Sequence, residues 1–214
     1  MNPQDNRITA VRIDAQHIRL RLADGRELAE PIKRHIRVEK ATPEQRQQWV
    51  LTDEDHGLNW PALWEPSSDG MLSIWDLDQD LLYNQALNTL QAAKWDTAQI
   101  SRTQHELVAL WRMEADINNG GFLQLLGNWG MGNLQVALQA LQTIGAPATQ
   151  QCLQAMFSVV ARFEESPEET SLADLPALLT EAEHEQLQAL DDAFWNYPER
   201  LAKLVVLHYG PAPA

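Results

Sequence analysis

The aspartates at positions 76, 78 and 80 have the alternate spacing with which a calcium-binding loop begins. Such a loop coordinates the ion through carboxylate oxygens. It also needs Gly at its sixth place, for a sharp turn, and a bidentate Glu at its twelfth. In this chain those places hold Leu81 and Leu87. The three aspartates therefore do not predict a calcium site.

Other residues with reactive side chains lack the partners that chemistry requires. His105-Glu106 begins like a zinc-protease helix, but Ala109 stands where the second His is needed. Cys152 lies in an apolar helical pattern, which favours a core thiol over a nucleophile. The run 53–56 (Asp-Glu-Asp-His) fits a solvated turn better than a cation site. The sequence thus predicts no catalytic residue, no metal, no cofactor and no enzyme.

The most unusual feature is an acidic stretch from Phe163 to Glu199, which has 11 Asp or Glu among 37 residues and no Lys or Arg. A solvated helix usually mixes signs, because a Glu and a Lys four residues apart stabilise each other. Like charges without such partners repel and cost stability. Two interpretations follow, a surface that meets a basic partner and an ordinary solvated acidic surface. The acids are Glu164, Glu165, Glu168, Glu169, Asp174, Glu181, Glu183, Glu185, Asp191, Asp192 and Glu199.

Charge is distributed unevenly along the 214 residues, whose formal net charge is −14. Residues 1–65 are nearly neutral at −1, whereas residues 66–214 carry −13. So negative a surface disfavours direct binding to nucleic acid or to anionic membranes. A single cysteine fits a reducing cytoplasm, and no apolar run approaches the roughly 20 residues of a membrane span. We expect a cytoplasmic protein of two parts.

The first part has the periodicity of strands. Residues 8–14 and 17–22 alternate apolar and polar side chains, which is typical of half-buried strands. Asp24-Gly25 then predicts a hairpin turn. A return strand is predicted to begin at residues 26–29, and the alternation of residues 32–38 predicts a further strand.

A short helix is predicted next. Thr42 is its cap, Pro43 its first residue, and Gln45 completes a capping box. With Gly57-Leu-Asn-Trp60-Pro after it, this segment resembles a bacterial family known as domain of unknown function 2442. The resemblance covers residues 8–64 and implies a fold but no chemistry. We predict a small β-rich α+β module over residues 1–65.

The second part reads as helical throughout. Residues 66–70 have the composition of a linker, and residues 71–214 are predicted to form an all-α acidic domain. Ser101 with Gln104 forms a second capping box, and Thr180 with Glu183 a third. The helices are predicted at 78–95, from Ser101 to a stop at Gly120-Gly121, at 122–126, from an Asn133 cap to Ile144, at 149–163, from Thr180 to Asn196, and up to His208.

One motif in this part is specific. It runs Glu114-Ala-Asp-Ile-Asn118-Asn-Gly120-Gly121-Phe122-Leu-Gln, with Ala-Leu-x-x-Ile-Gly-Ala after it from residue 140. This motif resembles the bacterial DNA mimic protein 19-like family, domain of unknown function 4375, from about residue 100 to 208. The resemblance implies an all-α fold and a tendency to form homodimers. It also implies an acidic surface that occupies the DNA-binding face of a transcription factor. We interpret the five numbered motif residues as structural.

The helix predicted for 181–196 can present its acids in a row. At 100° per residue, Leu187, Leu190 and Phe194 share one side. Three carboxylates (Glu181, Glu185, Asp192) lie within about 40° of each other on the opposite side. With roughly 1.5 Å rise per residue, the row is about 16 Å long. The residues predicted to bind a partner are Glu164, Glu165, Glu181, Glu185, Asp191 and Asp192.

The sequence therefore predicts a non-enzymatic acidic protein that binds a basic DNA-binding protein in competition with DNA. Two alternatives stay open. One is an immunity or antitoxin-like protein that neutralises a basic toxin. The other is a hydrolase with an unrecognised carboxylate or metal site.

Overall fold

The structure, a computed structural model, describes residues 5–63, 72–163 and 174–211. The predicted linker, residues 66–70, lies outside them. The described chain divides into two compact units, with the boundary between Asp80 and Leu81. A small β-sheet region precedes a helical region, so the predicted α+β fold class is confirmed.

The first sheet is antiparallel, in the order β1-β2-β3. Ile18, Leu20 and Leu22 are buried on one face of its central strand, as the two-residue alternation predicts. Gly25 lies in the predicted hairpin turn with φ of 95°, a value that glycine adopts without a steric penalty. The strands are β1 (Ile8–Ile13), β2 (His17–Leu22) and β3 (Glu27–Pro31).

The strand predicted for residues 32–38 is wrong. A 3-10 turn over Ile32–Arg34 and a short helix, α1 (Ile36–Lys40), occupy this segment. The alternation of apolar and polar residues gave a wrong prediction because Ile36 is 59% exposed, while Ile32 and Val38 reach the core. On a strand Ile32, Ile36 and Val38 would share one face, so the exposure of Ile36 between two buried residues does not fit a strand.

The capping box predicted at Thr42 is confirmed. The Thr42 hydroxyl accepts from the backbone N–H of Gln45, and the Gln45 side chain accepts from the Thr42 N–H. This box opens α2 (Pro43–Arg46). Trp60 is buried after it and donates its indole N–H to the Arg46 carbonyl at 2.9 Å. A second antiparallel sheet has the order β4 (Val50–Thr52), β5 (Gly57–Asn59) and β6 (Leu72–Ser73).

One buried ion pair stands out in the first unit. The Asp78 carboxylate is fully buried and accepts from both terminal nitrogens of Arg26, at 2.5 and 3.0 Å. Asp78 lies in the first turns of α3, so the aspartates at 76, 78 and 80 belong to a helix rather than to a loop.

The second unit is built around α4, which packs against α5, α7 and α8. Its core includes Leu110, Met113, Ile117 and Phe122, all of them fully buried. The helices are α3 (Ile74–Ala92), which begins in the first unit, α4 (Arg102–Ile144), α5 (Pro147–Val160), α6 (Leu175–Leu178), α7 (Glu181–Trp195) and α8 (Leu201–Tyr209).

Helix α4 is interrupted twice. Gly120 and Gly121 have non-helical dihedral angles, so the predicted break at this pair is confirmed, although the helix resumes at once. The second interruption is at Gly130, with φ of 70° and ψ of −177°. The prediction that Asn133 caps a new helix is wrong. The break at Gly130 precedes Asn133 by three residues, so Asn133 lies inside the resumed helix rather than at its start. There it is buried and hydrogen-bonded to Arg112.

Candidate protein-binding surface

Helix α7 carries most of the described acids of the acidic stretch. Its start is fixed by the predicted capping box, in which the Thr180 hydroxyl accepts from the Glu183 N–H and the Glu183 carboxylate accepts from the Thr180 N–H. Leu187 and Phe194 are buried on its inner side, and the helix packs against α4 and α5. These contacts hold the outer side of α7 in a fixed orientation within the unit.

The outer side presents Glu181, Glu185 and Asp192, and all three are exposed. We call these three residues the acidic row. Helix α7 has no Lys or Arg, so no residue on the same helix neutralises the row. Around Glu185 and Asp192 the surface is a shallow, open depression also lined by His184 and Gln188. The arrangement therefore presents its negative charge on an open surface rather than in an enclosed pocket.

Asp191 does not belong to this row, although the sequence placed it in the partner-binding set. Its carboxylate is half-buried and accepts the backbone N–H of Phe122 at 2.9 Å. Burial raises the pKa of Asp191, while the hydrogen bond from Phe122 acts against that shift. Asp191 lies four residues after buried Leu187, so the helical repeat is the signal that could have assigned it to the inner side.

Two further acids have structural partners. Glu183 belongs to the capping box and is also ion-paired with Arg162. Glu199 caps α5, because its carboxylate accepts from the N–H groups of Ala148 and Thr149 at 2.6 and 2.8 Å. Partial burial acts to raise the pKa of Glu199, but these bonds and that from the Thr149 hydroxyl lower it overall.

Glu164 and Glu165, the other predicted partner-binding residues, lie outside the described residues. Within the described part of the acidic stretch, the acids divide into two groups. Glu183, Asp191 and Glu199 hold the fold together. The acidic row and Asp174, all exposed, make no ion pair within residues 5–63, 72–163 and 174–211.

The Asn-Gly-Gly-Phe segment of α4, residues 119–122, is where side chains of α7 contact α4. Gly121 has φ of 80° and ψ of −178°, a region open essentially only to glycine. A Cβ there would overlap the Asp191 carboxylate, whose Cγ would lie 3.0 Å away. Just before the break, the Ile117 carbonyl accepts the indole N–H of Trp195 at 2.9 Å. The motif is thus a docking point for the inner side of the acid-bearing helix.

A second side chain after α7 strengthens this docking point. The Tyr197 hydroxyl donates to the Asn118 side-chain carbonyl at 3.1 Å. Trp195 is 39% exposed although its indole N–H is hydrogen-bonded to α4. Its partner is a backbone carbonyl 78 residues away in sequence, and no side-chain pattern reveals such a partner.

Residues 5–63, 72–163 and 174–211 contain no cluster of three or more His, Cys, Asp or Glu placed to hold a metal ion. No helix in that described part of the chain has both the length and the apolar composition to cross a bilayer.

Comparison with known proteins adds two family matches. Residues 8–82 match a family of proteins of unknown function, DUF2442, and residues 98–209 match the DMP19-like proteins. No curated protein and no solved structure gives a significant match. Both resemblances stated from the sequence are confirmed. Since the second match covers just over half of the 214 residues and includes the Asn-Gly-Gly-Phe break and all of α7, the chain belongs to the DMP19-like protein family.

Proposed function

We propose that this protein binds a basic DNA-binding protein, most simply a transcription regulator, and occupies the surface with which that protein binds DNA. The observation that carries the proposal is the acidic row: three exposed carboxylates on one side of a helix without Lys or Arg. The membership in the DMP19-like family supports the same function. No catalytic step is part of the proposal.

The geometry of the row suits this role. A DNA-binding domain holds its basic side chains where they meet phosphates along a backbone, and those contacts set its register on the duplex. Carboxylates on one side of a helix hold a fixed order and an end-to-end span of about 16 Å at 1.5 Å per residue. Their attraction for a basic surface is long-ranged, so it should speed association and weaken as salt screens it.

The identity of the partner is the first thing to establish. The tagged full-length protein is used to capture proteins from a lysate, with washes at low and then high salt. We expect a protein with a DNA-binding domain in the fraction released by salt. We also expect the DNA that this captured protein binds to compete with the tagged protein for the captured protein. A nuclease or other basic toxin in that fraction would instead establish an immunity function. Retention of no basic protein even at low salt would refute the proposal.

A matched pair of variants then separates the surface from the overall charge. The row variant carries Glu181→Gln, Glu185→Gln and Asp192→Asn. The control carries the same three-charge change at exposed acids of the first unit: Glu27→Gln, Glu39→Gln and Glu54→Gln.

We expect the row variant to lose about tenfold to a hundredfold in affinity for the captured protein, since each charge contact contributes roughly 0.5–1 kcal/mol. The control variant should lose little affinity for the captured protein. Equal losses in both variants would show that net charge, and not this surface, drives binding.

A further inference from the structure

Arg112, on α4, is a buried cation with few partners. Its side chain is buried and only 9% of the residue is exposed. One hydrogen bond is formed by its guanidinium, from Nη1 to the Asn133 side-chain carbonyl at 3.3 Å. Its Nε is fully enclosed and has no hydrogen-bond partner within the described residues. An arginine has five N–H donors, and a buried charge left without partners costs several kcal/mol.

The natural counter-ion, Asp116, lies one helical turn away but is already engaged. Its two carboxylate oxygens accept from the side chains of Gln124 at 2.9 Å, Asn128 at 3.1 Å and Trp129 at 2.5 Å. No carboxylate among residues 5–63, 72–163 and 174–211 comes within ion-pair distance of Arg112. Burial lowers the pKa of Arg112, although Asp116 acts in the opposite direction.

Trp129 covers the guanidinium. Its ring lies over the Arg112 guanidinium carbon at 3.7 Å, and the residue is 38% exposed. The surrounding backbone is rich in glycine, with Gly127, Gly130 and Gly132 within three residues of it. Gly130 interrupts the helix, and a Cβ at Gly127 or Gly132 would meet no atom within 4 Å. The backbone next to Trp129 is thus non-helical at Gly130 and has no side chains at three nearby positions.

We propose that Arg112 is the base of a small oxyanion-binding site and that Trp129 is its gate. When Trp129 moves, a carboxylate or phosphate group would take the unused N–H groups of the guanidinium, whose planar fork matches two oxygens of such a group. Asn133 holds the guanidinium in place. The bound anion would supply the counter-charge that Asp116 does not. This site is separate from the acidic row and does not depend on the function proposed for that row.

The test uses the Nε–H signal of Arg112 in a ¹⁵N-edited spectrum of the full-length protein, assigned through Arg112→Met. Inorganic phosphate and acetate are titrated separately at constant ionic strength. We expect a saturable shift of the Arg112 signal with a Kd of about 1 mM, the strength of one or two charge-assisted contacts. A response to phosphate alone assigns a phosphoryl ligand, and a response to acetate alone assigns a carboxylate.

Arg162 is the internal control, since it also lies over an aromatic ring, that of Phe163 at 4.4 Å, but is exposed and ion-paired with Glu183. Its signal should not saturate. Trp129→Phe keeps an aromatic cover but removes the bond to Asp116. It should tighten anion binding about tenfold, because one charge-assisted hydrogen bond no longer holds the gate shut. An Arg112 signal that ignores both anions, or that only follows Arg162, would overturn the proposal, as would unchanged affinity in Trp129→Phe.

Discussion

Replacing Gly121 by alanine should weaken the packing of α7 against α4 without replacing any charged residue. The substitution acts in two ways at one position. It places a side chain in a backbone conformation that only glycine adopts readily, and it pushes a Cβ into the Asp191 carboxylate. Because Asp191 must then move, the bond from the Phe122 N–H is lost as well.

The cost can be worked out from these contacts. Backbone strain of this kind costs about 1–3 kcal/mol. Loss of a hydrogen bond to a charged acceptor costs about 1.5–3 kcal/mol. These two costs together should lower the free energy of unfolding by about 2.5–6 kcal/mol.

Two other glycines provide matched controls. Gly145 ends α4 with φ of 77° but has open space around its missing Cβ, so Gly145→Ala should cost only about 1–2 kcal/mol, from strain alone. Gly132 has no positive φ and also has open space, so Gly132→Ala should stabilise the protein by about 0.5–1 kcal/mol.

Urea denaturation followed by circular dichroism measures all three free energies. The double variant Gly121→Ala, Asp191→Ala isolates the contact between the two residues, since adding Gly121→Ala to a protein without the carboxylate should cost strain only. The reasoning is refuted when Gly121→Ala costs no more than Gly145→Ala, or when the effects of Gly121→Ala and Asp191→Ala add without coupling.

Three further predictions concern other contacts. The pKa of Glu199 is lowered in the folded protein, so its cap on α5 should contribute stability above its ordinary pKa and lose it as the pH falls through the lower value. The stability difference between wild type and Glu199→Gln, measured by thermal melts across acid pH, should therefore shrink as the pH falls, and a constant difference would contradict this cap. Asp78→Ala leaves Arg26 partly buried without its main partner, so it should cost about 3–5 kcal/mol in urea denaturation, and a loss below about 1 kcal/mol would contradict a buried pair. Burial, with a contribution from Asp191, raises the pKa of the Cys152 thiol, so its alkylation at neutral pH should be slow in the native protein and reach the rate of free cysteine only after unfolding.

The elements that could be predicted from the sequence are those specified locally. All three capping boxes are confirmed, because each depends on two residues three apart and on nothing elsewhere in the chain. The hairpin at Gly25 is predictable for the same reason. The structure of residues 32–38 could not be predicted locally, because Ile36 is apolar but exposed. Only tertiary packing decides which apolar residue reaches the core.

The candidate surface was predictable in part. The acidic row follows from helical periodicity alone, since opposite sides of a helix separate by angle. The role of Asp191 depends on a backbone N–H that becomes available only where α4 breaks, and that N–H lies 69 residues away in sequence. The contacts of Arg112 could not be predicted from the sequence either, because they depend on the helix break at Gly130, next to which Trp129 and Asn133 contact Arg112.

The contacts that Asp191 and Trp195 make with α4 affect the conformational entropy that α7 loses when it binds a partner. A flexible acidic tail would lose backbone freedom at every residue that it orders on a partner, at about 1–2 kcal/mol each. On α7 that loss has already occurred during folding, and only the outer side chains remain to be immobilised. Aspartate has fewer rotatable bonds than glutamate, and Asp192 is further held by a hydrogen bond from Gln188 at 3.3 Å. Of the three carboxylates in the row, Asp192 therefore loses the least conformational freedom when a cation approaches it.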